Sequence, residues 1–221
     1  ANSSTGNKYS LWVNVYGVSE RYLNVYGEKD LRAQMNQFFH RTYTHPVDGT
    51  TLDMKMLCNW YWYDETAILE TGKGTKDWNF YRYAETLLSA AEAIAQSSGV
   101  NAEAAGYLAQ VKARANMEGK DVSTIASELQ RLGKQAFIEE CWKERLREFP
   151  LEMKIWDDCV RTGKFPQISA TNKGEVQFVD LIGAKNGSGA TFKATDLYWP
   201  IPVNEIQRNP NLTQNEGYSA K

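Results

Sequence analysis

"WNFYRYAETLLSAAEAIAQSSG", Trp78 to Gly99, is the stretch on which the fold turns. Before it, apolar and polar residues alternate. From here apolar residues recur at three-and-four spacing through Tyr83, Leu87, Ala90, Ala91 and Ile94, the signature of one helix face. Gly99 stops that helix, and "NAEAAGYLAQVKARANMEG" opens a second, with Asn101 placed to cap it and Gly119 to end it. Tyr107, Leu108 and Val111 form its apolar stripe. Two alanine-rich stripes can approach closely, so the spacing predicts an antiparallel helical hairpin of tetratricopeptide type.

Downstream, residues 123–149 read as one long or broken helix, started by Ser123, interrupted at Gly133 and ended before Pro150. "LEMKIWDDCVRTG" reads as a further helix closing near Gly163. Residues 165–196 look like a glycine-rich loop around a short strand. The closing segment "YWPIPVNEIQRNPNLTQNEGY" reads as an extended strap. Pro200, Pro202 and Pro210 restrict its backbone and lower the entropy cost of ordering it.

Upstream, "YSLWVNVYGVSERYLNVYG" reads as short strands and loops, and "EKDLRAQMNQFFHRTY" as a helical turn or two. "TLDMKMLCNWYWYDE" is strand-like, with Met54, Met56, Cys58, Trp60 and Trp62 on one phase of a period-two pattern. The expected fold is therefore mainly α: a tetratricopeptide-like helical hairpin and further helices, with long irregular loops and a few short strands. Residues 1–76 form the irregular part and 77–221 the helical core with its strap.

With 221 residues, 42% hydrophobic, the chain can bury one sizeable core or two small ones. A formal net charge of -2 and the lack of a basic run argue against nucleic-acid binding. No apolar stretch approaches the roughly 18 residues of a membrane span. Cys58, Cys141 and Cys159 form no C-x-x-C pair and His40 and His45 no helical frame, so no metal site or other cofactor is expected. Seven Trp and twelve Tyr are the unusual feature, more than core packing alone requires in irregular segments.

Several blocks together resemble the RagB/SusD family of cell-surface glycan-binding lipoproteins. "FYRYAETLLSAAEAIAQ" is similar to its R-Y-A-E helix through Arg82, Tyr83, Ala84, Glu85, Leu87, Leu88, Ala91, Glu92 and Ala93. Leu108, Val111, Arg114 and Ala115 fit the L-x-x-V-x-x-R-A segment. Glu144, Arg145, Glu148, Phe149, Glu152, Trp156, Asp158 and Arg161 fit the following helix pair, and Tyr198–Tyr218 resembles the closing signature. Where the family pattern has E-G-x-R, this chain has Glu152-Met153-Lys154-Ile155, without the glycine and the arginine. The resemblance implies that the strap is structural, with Trp199 and Ile201 pinning it onto the helices. It also implies that Glu85 and Glu144 are architectural and meet buried arginines or helix ends.

The resemblance further implies a non-enzymatic glycan binder at the outer-membrane surface. It would hand oligosaccharide to a SusC-like TonB-dependent transporter and be lipid-anchored through a segment not in this chain. The chain is expected to be the carboxyl-terminal part of such a protein, with the amino-terminal half as its partner. A helical-repeat scaffold for a protein, or a peptide-binding RagB-like subunit, is the alternative.

Catalysis is not expected. Glu139 and Glu140, or Asp157 and Asp158, are paired carboxylates, but Lys143, Arg145, Arg147 and Lys154 at helix spacing make ordinary ion pairs of them. Sugar binding calls for aromatic platforms beside amides, carboxylates or guanidinium groups. Two segments carry that mixture. One supplies Trp12, Tyr16, Arg21, Tyr22 and Tyr26, and the other Trp60, Trp62 and Tyr63, flanked by Asn59 and Asp64.

Overall fold

The computed structural model describes residues 17–219. The chain divides into two units. One is built from residues up to Ile155 together with Ile168–Gln177; the second takes Trp156–Gln167 and residues from Phe178 onward. Helix predominates, as expected from the periodicity.

In the first unit, α1 (Tyr83–Ser98) and α2 (Ala102–Ala113) form the expected hairpin. Asn101 caps α2 by accepting from the Ala104 amide at 2.9 Å. The buried stripe of α1 is Ala84, Leu87, Leu88, Ala91, Glu92 and Ala95, and it meets Ala104, Ala105, Leu108 and Ala109 of α2. Small side chains on both faces let the backbones come close. Tyr83, expected in the stripe, is exposed instead, because the stripe is centred one residue further round the helix.

The third helical segment breaks at Gly133, as its glycine suggested. α3 (Val122–Leu129) is capped by Asp121, and α4 (Lys134–Glu148) begins after Gly133 and ends before Pro150. α4 packs on α1 and places Phe137, Ile138, Cys141 and Phe149 in the core beside Leu88 and Leu108. Truncating either buried leucine to alanine costs about 2–5 kcal/mol.

The amino-terminal part departs from expectation at two points. Glu20–Val25 is a 3-10 turn, not a strand, and it turns Tyr22, Val25 and Tyr26 together toward α4. β1 (Phe39–Thr44) and β2 (Thr51–Asn59) then pair antiparallel, but not with a single phase. His40 faces Cys58 while Thr42 faces Asp53, so β2 bulges between them. A bulge resets the alternation, which is why Met54 and Leu57, three apart, are both buried. Trp60–Trp62 is a 3-10 turn beyond the strand end, so the expected shared phase of Trp60 and Trp62 does not arise.

The helix expected from Leu151 starts later, as α5 (Ile155–Thr162), since Leu151 and Met153 hold left-handed φ values of 59° and 60°. β3 (Lys164–Ile168) and β4 (Val176–Asp180) pair as a two-stranded sheet, so residues 165–196 contain two strands where one was expected.

In the second unit, Phe192 meets Trp156 at 5.6 Å and Phe165 at 5.2 Å, and Cys159, Leu181 and Ala184 are buried. The strap is not wholly extended: Val203–Arg208 forms a short helix, α6, directly after Pro202. Nor does Trp199 pin it, for its side chain is 87% exposed. The strap is clamped by its own polar end. Gln214 accepts from the Ile201 amide at 2.8 Å and donates to the Ile201 carbonyl at 2.9 Å. Asn215 donates to the Trp199 carbonyl at 2.7 Å, and the Tyr218 hydroxyl reaches the Tyr198 carbonyl at 2.9 Å.

Candidate functional site

The 3-10 turn after β2 sets the aromatic residues of the second segment around one cleft of about 290 Å³, lined by Asn59, Trp60, Trp62, Tyr63, Asp64 and Ile68. Asn59 builds the turn: its side chain caps it by accepting from the Tyr61 amide at 2.7 Å and ties it down by donating to the Pro150 carbonyl at 2.9 Å. Trp60 stacks on His40 at 3.8 Å and on Tyr63 at 4.5 Å, nearly parallel in both cases. That stack packs Tyr63 and His40 on opposite sides of the Trp60 ring. Trp62 donates to the Leu151 carbonyl at 3.3 Å and meets Trp78 at 5.0 Å. Its ring and that of Tyr63 are half-buried, the condition under which a ring can be both fixed and reachable.

Two groups give the cleft its polarity. Asp64 accepts from the Ala67 amide at 3.1 Å and the Thr75 amide at 3.0 Å. Those backbone donors hold its carboxyl below the usual range, so it stays ionised and keeps lone pairs for a hydroxyl donor. The Tyr63 hydroxyl donates to Glu65 at 3.3 Å, and desolvation with the neighbouring Tyr43 pushes its ionisation above the normal range. It therefore remains a neutral donor and acceptor. Such a surface can stack a flat C–H face and exchange hydrogen bonds with its rim.

The first segment does not join this cleft. Tyr26 is fully buried; its hydroxyl donates to the Arg147 carbonyl at 2.9 Å and its ring meets Phe39 at 5.8 Å. It is a core residue, and the expectation that it contacts a ligand is corrected. Tyr22 turns the same way, donating to the Leu146 carbonyl at 2.6 Å. Arg21 is exposed, but its Nε donates to the Ile168 carbonyl at 2.7 Å. Trp12 and Tyr16 lie outside the described residues.

Sequence reasoning passed over Trp78, Phe80, Tyr81 and Tyr83, having assigned "WNFYRY" to the helix. Phe80, Tyr81 and Tyr83 are 76%, 79% and 73% exposed. Their signal was present: Arg82 is the N-cap of α1, so three of these four aromatics precede the helix and have no stripe to bury them.

Beside the cleft lies a network of buried charge. Glu144 bonds Arg32 at 2.8 Å and Arg147 at 3.3 Å; Glu85 bonds Arg145 at 3.3 Å. Both carboxylates meet buried arginines, the architectural role expected of them. Arg82 forms a fork with Glu152 through two contacts of 2.8 Å. This chain has Ile155 where the family pattern has its arginine, and the neighbouring Lys154 reaches Glu85 at 3.1 Å. These carboxylates are satisfied by cations, not poised as an acid and base across a substrate.

A model of the SusD family matches residues 9–218, nearly the whole chain. This chain belongs to the SusD family. The starch-binding protein SusD of Bacteroides thetaiotaomicron is 36% identical over 138 residues, which are 62% of this chain and 21% of that protein. The crystal structure of a SusD superfamily protein from Parabacteroides distasonis superposes with a TM-score of 0.80 at 29% identity. That alignment covers 98% of this chain and 45% of the other. The SusD-family chain thus spans under half of each of these relatives. Among the described residues no helix is long and apolar enough to cross a membrane.

Proposed function

We propose that this SusD-family chain is part of a glycan-binding protein of the outer-membrane surface, held there as a lipoprotein. It captures oligosaccharide without breaking bonds and passes it to a SusC-like TonB-dependent transporter. The observation that carries the reading is the cleft lined by Trp60, Trp62 and Tyr63 with the ionised Asp64 at its rim. A relative named for starch binding supports a saccharide as the ligand. Trp62 and Tyr63 offer their rings; Trp60 stacks on Tyr63, and Trp78 packs against Trp62.

Titration with a panel of neutral oligosaccharides, followed by tryptophan fluorescence and calorimetry, tests this. Trp62→Ala and Tyr63→Ala should each weaken binding by about 1 kcal/mol, the value of one stacked ring. Normal binding in both variants would remove the cleft from the mechanism.

A second reading is a helical-repeat scaffold or a peptide-binding, RagB-like subunit. The exposed Phe80, Tyr81 and Tyr83 favour it, since aromatic side chains anchor protein interfaces. Peptides in the same panel separate the two: saturable binding of a peptide but of no saccharide selects the second.

A further inference from the structure

At the open end of the α1–α2 hairpin, Arg82 and Arg114 line a pocket of about 250 Å³ with Tyr83 and Gln110 at its rim and Leu87 and Val111 beneath. No carboxylate is among the residues that line it. Both guanidinium groups are tethered from behind to one oxygen of Glu148, Arg82 at 3.0 Å and Arg114 at 2.7 Å. The other Glu148 oxygen is taken by Arg32 at 3.1 Å. One buried carboxylate is therefore divided among three guanidinium groups.

Arg82 is further held by Glu152, but among the described residues the carboxylate bonded to Arg114 is the shared Glu148 alone. The Arg114 side chain is 58% exposed, and among the described residues one of its five donors is bonded, to Glu148. A cation fixed at its base, incompletely neutralised and open at its fork matches a carboxylate, which a guanidinium binds through two parallel hydrogen bonds.

The pocket is smaller than the roughly 300 Å³ of a drug-sized site, so it suits a single ring. It also adjoins the aromatic cleft. The Arg82 guanidinium lies 5.8 Å from the Tyr61 ring, and Tyr61 meets Trp62 edge-on at 4.9 Å.

We propose that the Arg82–Arg114 pocket is an anionic subsite that receives the carboxylate of a uronic-acid unit, next to the sugar held in the Trp62 cleft. The apolar floor carries the ring's C–H face, while Gln110 and the Tyr83 hydroxyl serve its hydroxyl groups. The ligand class is thus an acidic polysaccharide, a statement that rests on the glycan-binding reading above.

The test compares oligogalacturonides with their methyl esters, which keep the ring and remove the charge, and with maltoheptaose and a sulfated galactan, by calorimetry on the full chain. The acid should bind about tenfold tighter than the ester at low salt, with the gap closing at high salt. Arg114→Gln should erase the gap; because Arg114 is at the surface, its fold can be checked by an unchanged melt. Equal binding of acid and ester overturns the subsite and leaves the glycan reading standing. Preference for the sulfated galactan over the galacturonides overturns the carboxylate assignment. No binding of any saccharide overturns both readings. The wild-type acid-to-ester ratio decides even if the variant does not fold.

Discussion

Glu144 accepts a 2.8 Å hydrogen bond from Arg32 at a place where neither side chain has appreciable contact with water. The two are 112 residues apart, so this bond closes the amino-terminal turns onto α4. Burial alone would raise the Glu144 carboxyl; Arg32, Lys112 and Arg147 outweigh that and hold it down to about 2, from 4.5.

Its pH dependence follows. A folded value below the unfolded one means the ionised form stabilises the fold. That contribution is fully present above pH 4.5 and is lost as pH falls toward about 2. Glu140, held down by Lys112 and Arg147 against its own desolvation, acts in the same direction. Denaturant-unfolding curves should therefore lose stability across this acid window. Glu144→Gln should flatten that loss and, at neutral pH, destabilise by about 1–3 kcal/mol, because Arg32 and Arg147 each lose one buried counter-charge while Asp30, Glu148 and Glu140 still pair with them. An unchanged acid limb in the variant would assign the acid sensitivity to other groups.

Met153 stands where the family pattern has glycine, and it holds a left-handed φ of 60° with its side chain exposed. A side chain in that conformation costs roughly 1–2 kcal/mol, part of which glycine forfeits through its freer unfolded chain. Met153→Gly should therefore stabilise by about 0.5–1 kcal/mol, read as a raised melting temperature. A lowered melt would mean that the Met153 side chain makes a contact worth more than the strain.

The sequence made some of this legible and hid the rest for physical reasons. Helix α1, the cap at Asn101 and the break at Gly133 are local effects, set by residues within a turn of each other. Composition groups Tyr22, Asn24 and Tyr26 as a ligand-like mixture, whereas the 3-10 turn carries both tyrosines toward α4. Trp60 and Tyr63 were placed on opposite phases, and the turn after Asn59 stacks them. The cleft's residues were legible from composition, but not its geometry, which depends on a bulge in β2 and a bond to Pro150 that no local pattern encodes. The arginine pocket was invisible for the same reason: Arg82 and Arg114 come from different helices and meet through Glu148 of a third.

Tyr26 offers a clean contrast with the cleft. Its hydroxyl reaches the Arg147 carbonyl inside the core, so Tyr26→Phe leaves a buried carbonyl one bond short. The expected loss is about 1–3 kcal/mol of stability. Glycan affinity measured below the melt should not change, which separates this residue from Trp62 and Tyr63.

The strap makes the last prediction. Its ring at Trp199 is in solvent, while Gln214 holds both the amide and the carbonyl of Ile201. If polar clamping orders this segment, Trp199→Ala should change stability by no more than about 0.5 kcal/mol, as for other surface sites. Gln214→Ala removes three hydrogen bonds, two to Ile201 and one from the Asn215 amide, and should cost about 1–3 kcal/mol, with faster hydrogen exchange at the Ile201 amide. The reverse order of effects would restore Trp199 as the pin that the sequence suggested, because only a ring packed against protein could outweigh the three bonds made by Gln214.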